Sequence, residues 1–164
     1  MRRPRKPDAP TGEADERTVR TAALALLAGR DFARQELAQR LRRRGYPAAT
    51  VATVVEGLAA QRLLSDTRFV DQFIRQHAGR GHGPVRIRVE LRERGVADGD
   101  IDEGLRAAAE DWASVAREAR RKRFGLSPPG DYRERARQAR FLQYRGFSAE
   151  QVRAALGPGE DIEP

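Results

Sequence analysis

His77 and His82 are the only histidines in the chain, and no cysteine accompanies them. Imidazoles bind zinc when further ligands stand at workable spacing. These two lie five residues apart with no cysteine or carboxylate fixed beside them, so they do not predict a zinc site. Asp98, Asp100, Asp102 and Glu103 form the densest acidic group, the residue type that would hold a divalent metal in a nuclease. They also fall at a predicted helix start, where carboxylates suit the dipole, and that reading outweighs the metal. Ser65, Ser114, Ser127 and Ser148 lie in no nucleophile elbow, and GRGHGP (Gly79 to Pro84) lacks the Lys-Ser/Thr pair of a phosphate loop. No catalytic residue, metal or cofactor is expected, and the chain reads as a non-enzyme.

Binding chemistry is the stronger signal. The net charge of +8 over 164 residues suggests a polyanionic partner such as nucleic acid. Arginine abundance alone is weak support, because only Lys6 and Lys122 are lysines and a high arginine-to-lysine ratio also follows from genome base composition. Distribution says more: residues 65–110 carry a net −1, whereas 18–64 carry +5 and 111–157 carry +6. No apolar run approaches the length of a membrane span, and the N-terminus MRRPRKPDAP has no apolar segment of the kind a signal peptide needs, so a soluble cytoplasmic protein is expected.

The elements that position these residues come from an internal repeat. LRRRGY, LRERGV and LQYRGF each place a leucine four residues before a glycine and an apolar residue after it: Leu41/Gly45/Tyr46, Leu91/Gly95/Val96 and Leu142/Gly146/Phe147. Six residues beyond each glycine come Val51, Ile101 and Val152, and ten beyond come Val55, Leu105 and Leu156. The physical reading is a charged helix closed by a left-handed glycine, then an apolar anchor, then a helix burying the two downstream positions. Asp98 and Ser148 are the predicted N-caps of that last helix in their copies. An earlier helix precedes each pair, carrying Ala23, Leu24 and Leu27; then Phe69, Val70, Phe73 and Ile74 after a Ser65 or Asp66 cap; then Trp112, Val115 and Ala119. The fold expected is all-α: three tandem three-helix, helix-turn-helix-like repeats at 18–64, 65–110 and 111–157. A basic, proline-rich tail (1–17) and an acidic tail (158–164) flank them as disordered segments.

One stretch opposes this register. In GRGHGPVRIRVELRERG (Gly79 to Gly95) the alternation Val85/Ile87/Val89/Leu91 has the period of a strand. Pro84 at a first-turn position, the Gly95 cap and the repeat register favour a helix, with Gly79 to Pro84 as a turn. A helix apolar on two sides is expected to touch two neighbours.

The segment from about Ala23 to Leu156 resembles the RecX family of bacterial recombination regulators. The resemblance lies in GRDFARQEL (Gly29 to Leu37), LLSDTRFVDQFI (Leu63 to Ile74), GPVRIRVELRERGV (Gly83 to Val96) and RKRFG (Arg121 to Gly125), followed by RFLQYRGFSAEQV (Arg140 to Val152). Two positions depart from the family pattern: Ala33 stands for a small hydroxyl residue and His77 for an arginine. The resemblance implies an elongated, curved array. It also implies a regulator that lodges in the helical groove of the RecA–single-stranded-DNA filament and restrains ATP hydrolysis and strand exchange.

The candidate contacts to that partner or to DNA, single-stranded or double-stranded, are all basic. Arg86, Arg88 and Arg92 lie on the helix of VRIRVELRER, the alternative being a solvated face on which Glu90 and Glu93 pair with them. Arg120, Arg121, Lys122 and Arg123 are consecutive, so some must point away from the Trp112/Val115/Ala119 stripe. Arg140 and Arg145 flank FLQY, whose Phe141 and Tyr144 read as core aromatics rather than as stacking platforms for a base. A monomer is expected. A stand-alone, nonspecific DNA-binding repeat protein is the competing class.

Overall fold

The computed structural model describes residues 15–108 and 110–158, and both terminal-tail expectations fall largely outside them. The described residues hold nine helices and no strand, in the predicted threefold order. The first repeat contributes α1 (Glu16–Gly29), α2 (Arg34–Arg43) and α3 (Ala48–Ala60). The second contributes α4 (Asp66–Gly79), α5 (Pro84–Glu93) and α6 (Asp98–Ala107), and the third α7 (Trp112–Phe124), α8 (Tyr132–Tyr144) and α9 (Ala149–Leu156). Gly45, Gly95 and Gly146 end the middle helices at φ of 92°, 77° and 93°, a conformation in which a Cβ would be strained.

By packing, the described residues form two compact units. One runs to Phe69 and adds Arg94–Val96; the other takes Val70–Glu93 and everything from Ala97 onward. In the first unit Val19 and Ala23 of α1 meet Leu37 and Leu41 of α2 and Val51, Val54, Val55 and Leu58 of α3, all buried. The α1 stripe is offset from expectation, since Val19 and Ala23 fill the core while Leu24 turns outward. Asp15 caps α1 by accepting from the Thr18 backbone N–H at 2.8 Å.

The second unit buries Val70, Phe73 and Ile74 of α4, Ile87 and Leu91 of α5 and Ile101 of α6. Around α7 to α9 its core is Ala116, Ala119, Leu142, Phe147, Val152, Ala155 and Leu156. In the contested stretch Pro84–Glu93 is helical, the alternating residues included, and Ile87 with Leu91 points inward. Its other apolar side is not covered: Val85 and Val89 stay 52% and 47% exposed. Ser148 caps α9 in a full capping box with Gln151, as expected. Asp98 does not cap α6. Ala97 takes the cap position without a side-chain bond, because the Asp98 carboxylate is drawn back to Arg92.

Candidate functional site

Consecutive residues on a helix diverge by about 100°, so four basic residues in a row must spread around α7. The structure separates one of them from the rest. Arg120 follows Ala116 and Ala119 inward and is only 7% exposed. Its Nη1 donates to the Ser127 carbonyl at 3.0 Å and to Gln138 Oε1 at 3.1 Å, and its Nη2 to the Leu126 carbonyl at 3.3 Å. Arg120 therefore clamps the α7–α8 loop instead of presenting charge to a partner.

Arg121, Lys122 and Arg123 are exposed. Arg121 and Lys122 both approach the single carboxylate of Glu118, at 3.9 Å each, which leaves that cluster net positive. Arg123 lies with its guanidinium carbon 5.7 Å from the Phe124 ring centre. On α8, Arg140 is exposed and makes no ion pair among the described residues. The guanidinium carbon of Arg145 lies 5.1 Å from the Phe141 ring centre, and its Nη1 donates to the Arg80 carbonyl at 3.2 Å.

These placements enclose a cleft of about 760 Å³ walled by the α4–α5 turn, the outer face of α7 and the end of α8. Arg80, Lys122, Arg123 and Arg145 ring it, Ala78, Val115, Ala119 and Phe141 supply apolar surface, and Glu118 is the one carboxylate in its lining. Three of those cations carried a sequence expectation; Arg80 did not, because only the fold of the turn brings it beside Arg145. Phe141 packs edge-on against Phe124 at 5.2 Å, as a core aromatic would. Tyr144 differs from expectation: it is 85% exposed at the end of α8.

The arginines of α5 have a different setting. Arg86 Nε donates to Glu90 Oε1 at 2.7 Å, Arg88 Nη1 meets Asp102 at 2.5 Å, and Arg92 Nε meets Asp98 at 2.5 Å. The Arg92 hydrogen bond holds the Asp98 carboxyl below its ordinary value, and the same bond raises the Arg92 guanidinium. Asp98 and Asp102 thus bind arginines between α5 and α6 and do not converge on a shared metal position.

A carboxylate does stand beside the two histidines, which the sequence spacing did not reveal. His77 Nδ1 lies 3.0 Å from His82 Nδ1 and 3.6 Å from Glu90 Oε2. Partial burial opposes the Glu90 charge, and the Arg86 hydrogen bond with the nearby imidazole and guanidinium outweighs it, so the carboxyl sits below its ordinary value. Burial, then the charges of Arg86, His77 and Arg145, push the His82 imidazole down.

Three successive segments match successive parts of one family: residues 20–58 the first three-helix domain of RecX, 65–105 the second and 109–156 the third. The Regulatory protein RecX of Halorhodospira halophila is 53% identical over 150 residues, which cover 92% of this chain and 92% of that protein. This chain belongs to the RecX family. The RecX protein of Pseudomonas entomophila is 44% identical over 144 residues, covering 88% and 92% of the two chains. Two RecX crystal structures share the fold. One superposes with a TM-score of 0.70 at 23% identity, covering 83% of this chain and 68% of the other. RecX from Lactobacillus salivarius gives 0.67 at 21% identity, covering 84% and 92%. The family is one of regulatory proteins by name, and no helix among the described residues is long and apolar enough to cross a membrane.

Proposed function

We propose that this RecX-family chain is a non-catalytic regulator of RecA. It binds the RecA–single-stranded-DNA filament in its helical groove, as a monomer, and restrains ATP hydrolysis and strand exchange, thereby modulating DNA repair. The observation that carries the residue-level reading is the cleft where Arg80, Lys122, Arg123 and Arg145 face one carboxylate, Glu118. Uncompensated positive charge on an open concave surface attracts DNA phosphates or acidic protein surface over several ångströms of solvent. Arg121 and Arg140 extend the same field along α7 and α8. Arg86, Arg88 and Arg92 contribute less to it, since each already spends its charge on a neighbouring carboxylate. Arg120 supports the site from below without touching a partner.

The test is ATP hydrolysis by a RecA–single-stranded-DNA filament at fixed salt while this protein is titrated in, with Lys122→Glu/Arg123→Glu alongside. Inhibition at ratios well below one per RecA protomer, lost in the double variant while its helical content is kept, is the expected outcome. Absence of inhibition together with tight binding to naked DNA would replace this reading with that of a nonspecific DNA-binding repeat protein.

A further inference from the structure

The three repeats set equivalent backbone positions in different chemical surroundings, and the contrast is sharpest where the middle helix gives way to the last. From Leu37 to Val55 the first repeat holds four arginines and no acidic residue. The same register of the second repeat, 87–105, holds three arginines and six carboxylates, and that of the third, 138–156, three arginines and one carboxylate. Ion pairing follows this difference. In the second repeat Arg92 donates to Asp98 and Arg88 pairs with Asp102. The positions equivalent to those two carboxylates in the first repeat are Ala48 and Ala52, and Arg43 stands where the second repeat has Glu93.

Arg40, Arg42, Arg43 and Arg44 are all exposed, and none of their side chains makes a hydrogen bond or ion pair among the described residues. The acidic residues that flank them in sequence are engaged elsewhere: Glu36 by Arg30 and Glu56 by Arg34. The C-terminus of α2 attracts cations, but its dipole amounts to roughly half an elementary charge against four positive ones. The remainder concentrates positive potential on one surface. Beside the arginines that surface shows Pro47, Ala48 and Ala49, whose short side chains let a phosphate backbone approach closely. Tyr46 is the sole aromatic residue between 37 and 55, and it is partly buried against the first core, so no exposed ring is offered to a base. Single strands are held by stacking on such rings as well as by charge. A duplex keeps its bases stacked inside and presents one phosphate charge per about 1.7 Å of its axis, which suits a surface built of charge alone.

We infer that the end of α2 and the start of α3 form a binding surface for double-stranded DNA, contacted at its phosphates by Arg40, Arg42, Arg43 and Arg44. Binding there is independent of sequence, because phosphate contacts carry no base identity. The surface shares no residue with the cleft lined by Arg80, Lys122, Arg123 and Arg145, so the first repeat holds a duplex without drawing on the cations of the third. The inference does not rest on the RecA reading, since naked duplex is its ligand.

The test measures binding of the full chain to a blunt-ended duplex and, separately, to an oligo-dT strand over a series of salt concentrations, without RecA. Arg42→Gln/Arg43→Gln is expected to reduce the slope of log K against log salt for the duplex by about 1.8, roughly 0.9 for each phosphate no longer neutralised. Ala48→Asp keeps every arginine and supplies Arg42 with the carboxylate that Arg92 has in the second repeat, so it should reduce the duplex slope by about 0.9. Both variants should leave the oligo-dT slope and the far-ultraviolet circular dichroism unchanged. An unaltered duplex slope in the arginine variant would overturn the inference. An equal fall for oligo-dT would also overturn it, by making this a single-strand surface. Weaker inhibition of the RecA filament with an unaltered duplex slope would assign the arginines to an acidic protein surface instead. If the arginine variant loses helical content, Ala48→Asp alone decides.

Discussion

The carboxylate of Asp66, the first residue of α4, accepts a 2.7 Å hydrogen bond from the backbone N–H of Arg34, the first residue of α2. Ala33 occupies the α2 cap position and has no side chain able to do this. The start of α2 is thus capped by a residue from the next repeat. The second repeat behaves similarly, since the Val85 N–H at the start of α5 donates to the Gly146 carbonyl at 3.0 Å. In the third repeat the middle helix, α8, is capped from its own sequence, by Asp131 accepting from the Glu134 N–H at 2.8 Å.

Asp66→Ala is accordingly expected to destabilise the protein by about 1 kcal/mol, the usual cost of losing a helix cap. Chemical denaturation measures this. Ser65 still caps α4 through the Arg68 N–H in that variant, so α4 keeps its own start.

Gly83→Ala is expected to be far more damaging. A Cβ there would collide with the Gly146 carbonyl and lie 2.6 Å from the Phe147 nitrogen, backbone atoms that cannot rotate away. The Gly83 N–H also donates to the Arg145 carbonyl at 2.8 Å, so the clash falls on a bonded junction. A loss of about 3 kcal/mol is expected, the upper part of the range for overpacking. Gly57→Ala, inside α3 with open space at its Cβ, should instead gain about 0.5–1 kcal/mol. Thermal unfolding of the two variants should move in opposite directions.

Arg120→Ala and Arg121→Ala separate support from contact. The first strips two hydrogen bonds from the α7–α8 loop and leaves the buried side-chain oxygen of Gln138 on α8 without that donor, for an expected loss of about 2–3 kcal/mol. The second sits on the surface and should change stability by less than about 0.5 kcal/mol. Denaturation curves resolve that difference.

Salt dependence tests which arginines meet phosphate. Lys122→Gln/Arg123→Gln should reduce the slope of log K against log salt for single-stranded DNA by about 1.4, roughly 0.7 for each phosphate no longer neutralised. Arg92→Gln should leave the slope unchanged, because its charge is already matched by Asp98. Fluorescence anisotropy at a series of salt concentrations reads both.

Asp111 caps α7 and is bonded to the Ser114 side chain and backbone, which hold its carboxyl below the ordinary value. Its folded value lies under its unfolded one, so its contribution is complete above the unfolded value and disappears as pH falls through the folded value. The melting temperature of the wild type should therefore drop between about pH 5 and pH 2.5 by more than that of Asp111→Asn, whose side chain does not titrate. The gap between the two should close as acid is added.

The helical frame was legible because the spacing from Leu41 to Gly45 to Val51 recurs twice with its chemistry intact, and one physical explanation covers all three copies. The Val85/Val89 side misled toward a strand because those valines are exposed and carry no packing role that would reveal the helical period. The site was legible only in part. Four consecutive basic residues look alike in sequence, and Arg120 is set apart by Gln138, eighteen residues away on another helix. Glu90 reaches the histidines, and Arg80 reaches Arg145, only after the α4–α5 turn closes. Asp98 read as a cap from its position, yet Arg92 six residues earlier competes for it and wins.

The borrowed caps give the chain a direction. Repeat one completes its second helix with Asp66, which ribosomal synthesis delivers after α3, and repeat two completes its own with Gly146, which follows α8 of the third repeat. Removing the last repeat therefore harms the repeat left behind as well as the one removed, whereas removing the first leaves the Val85–Gly146 bond in place.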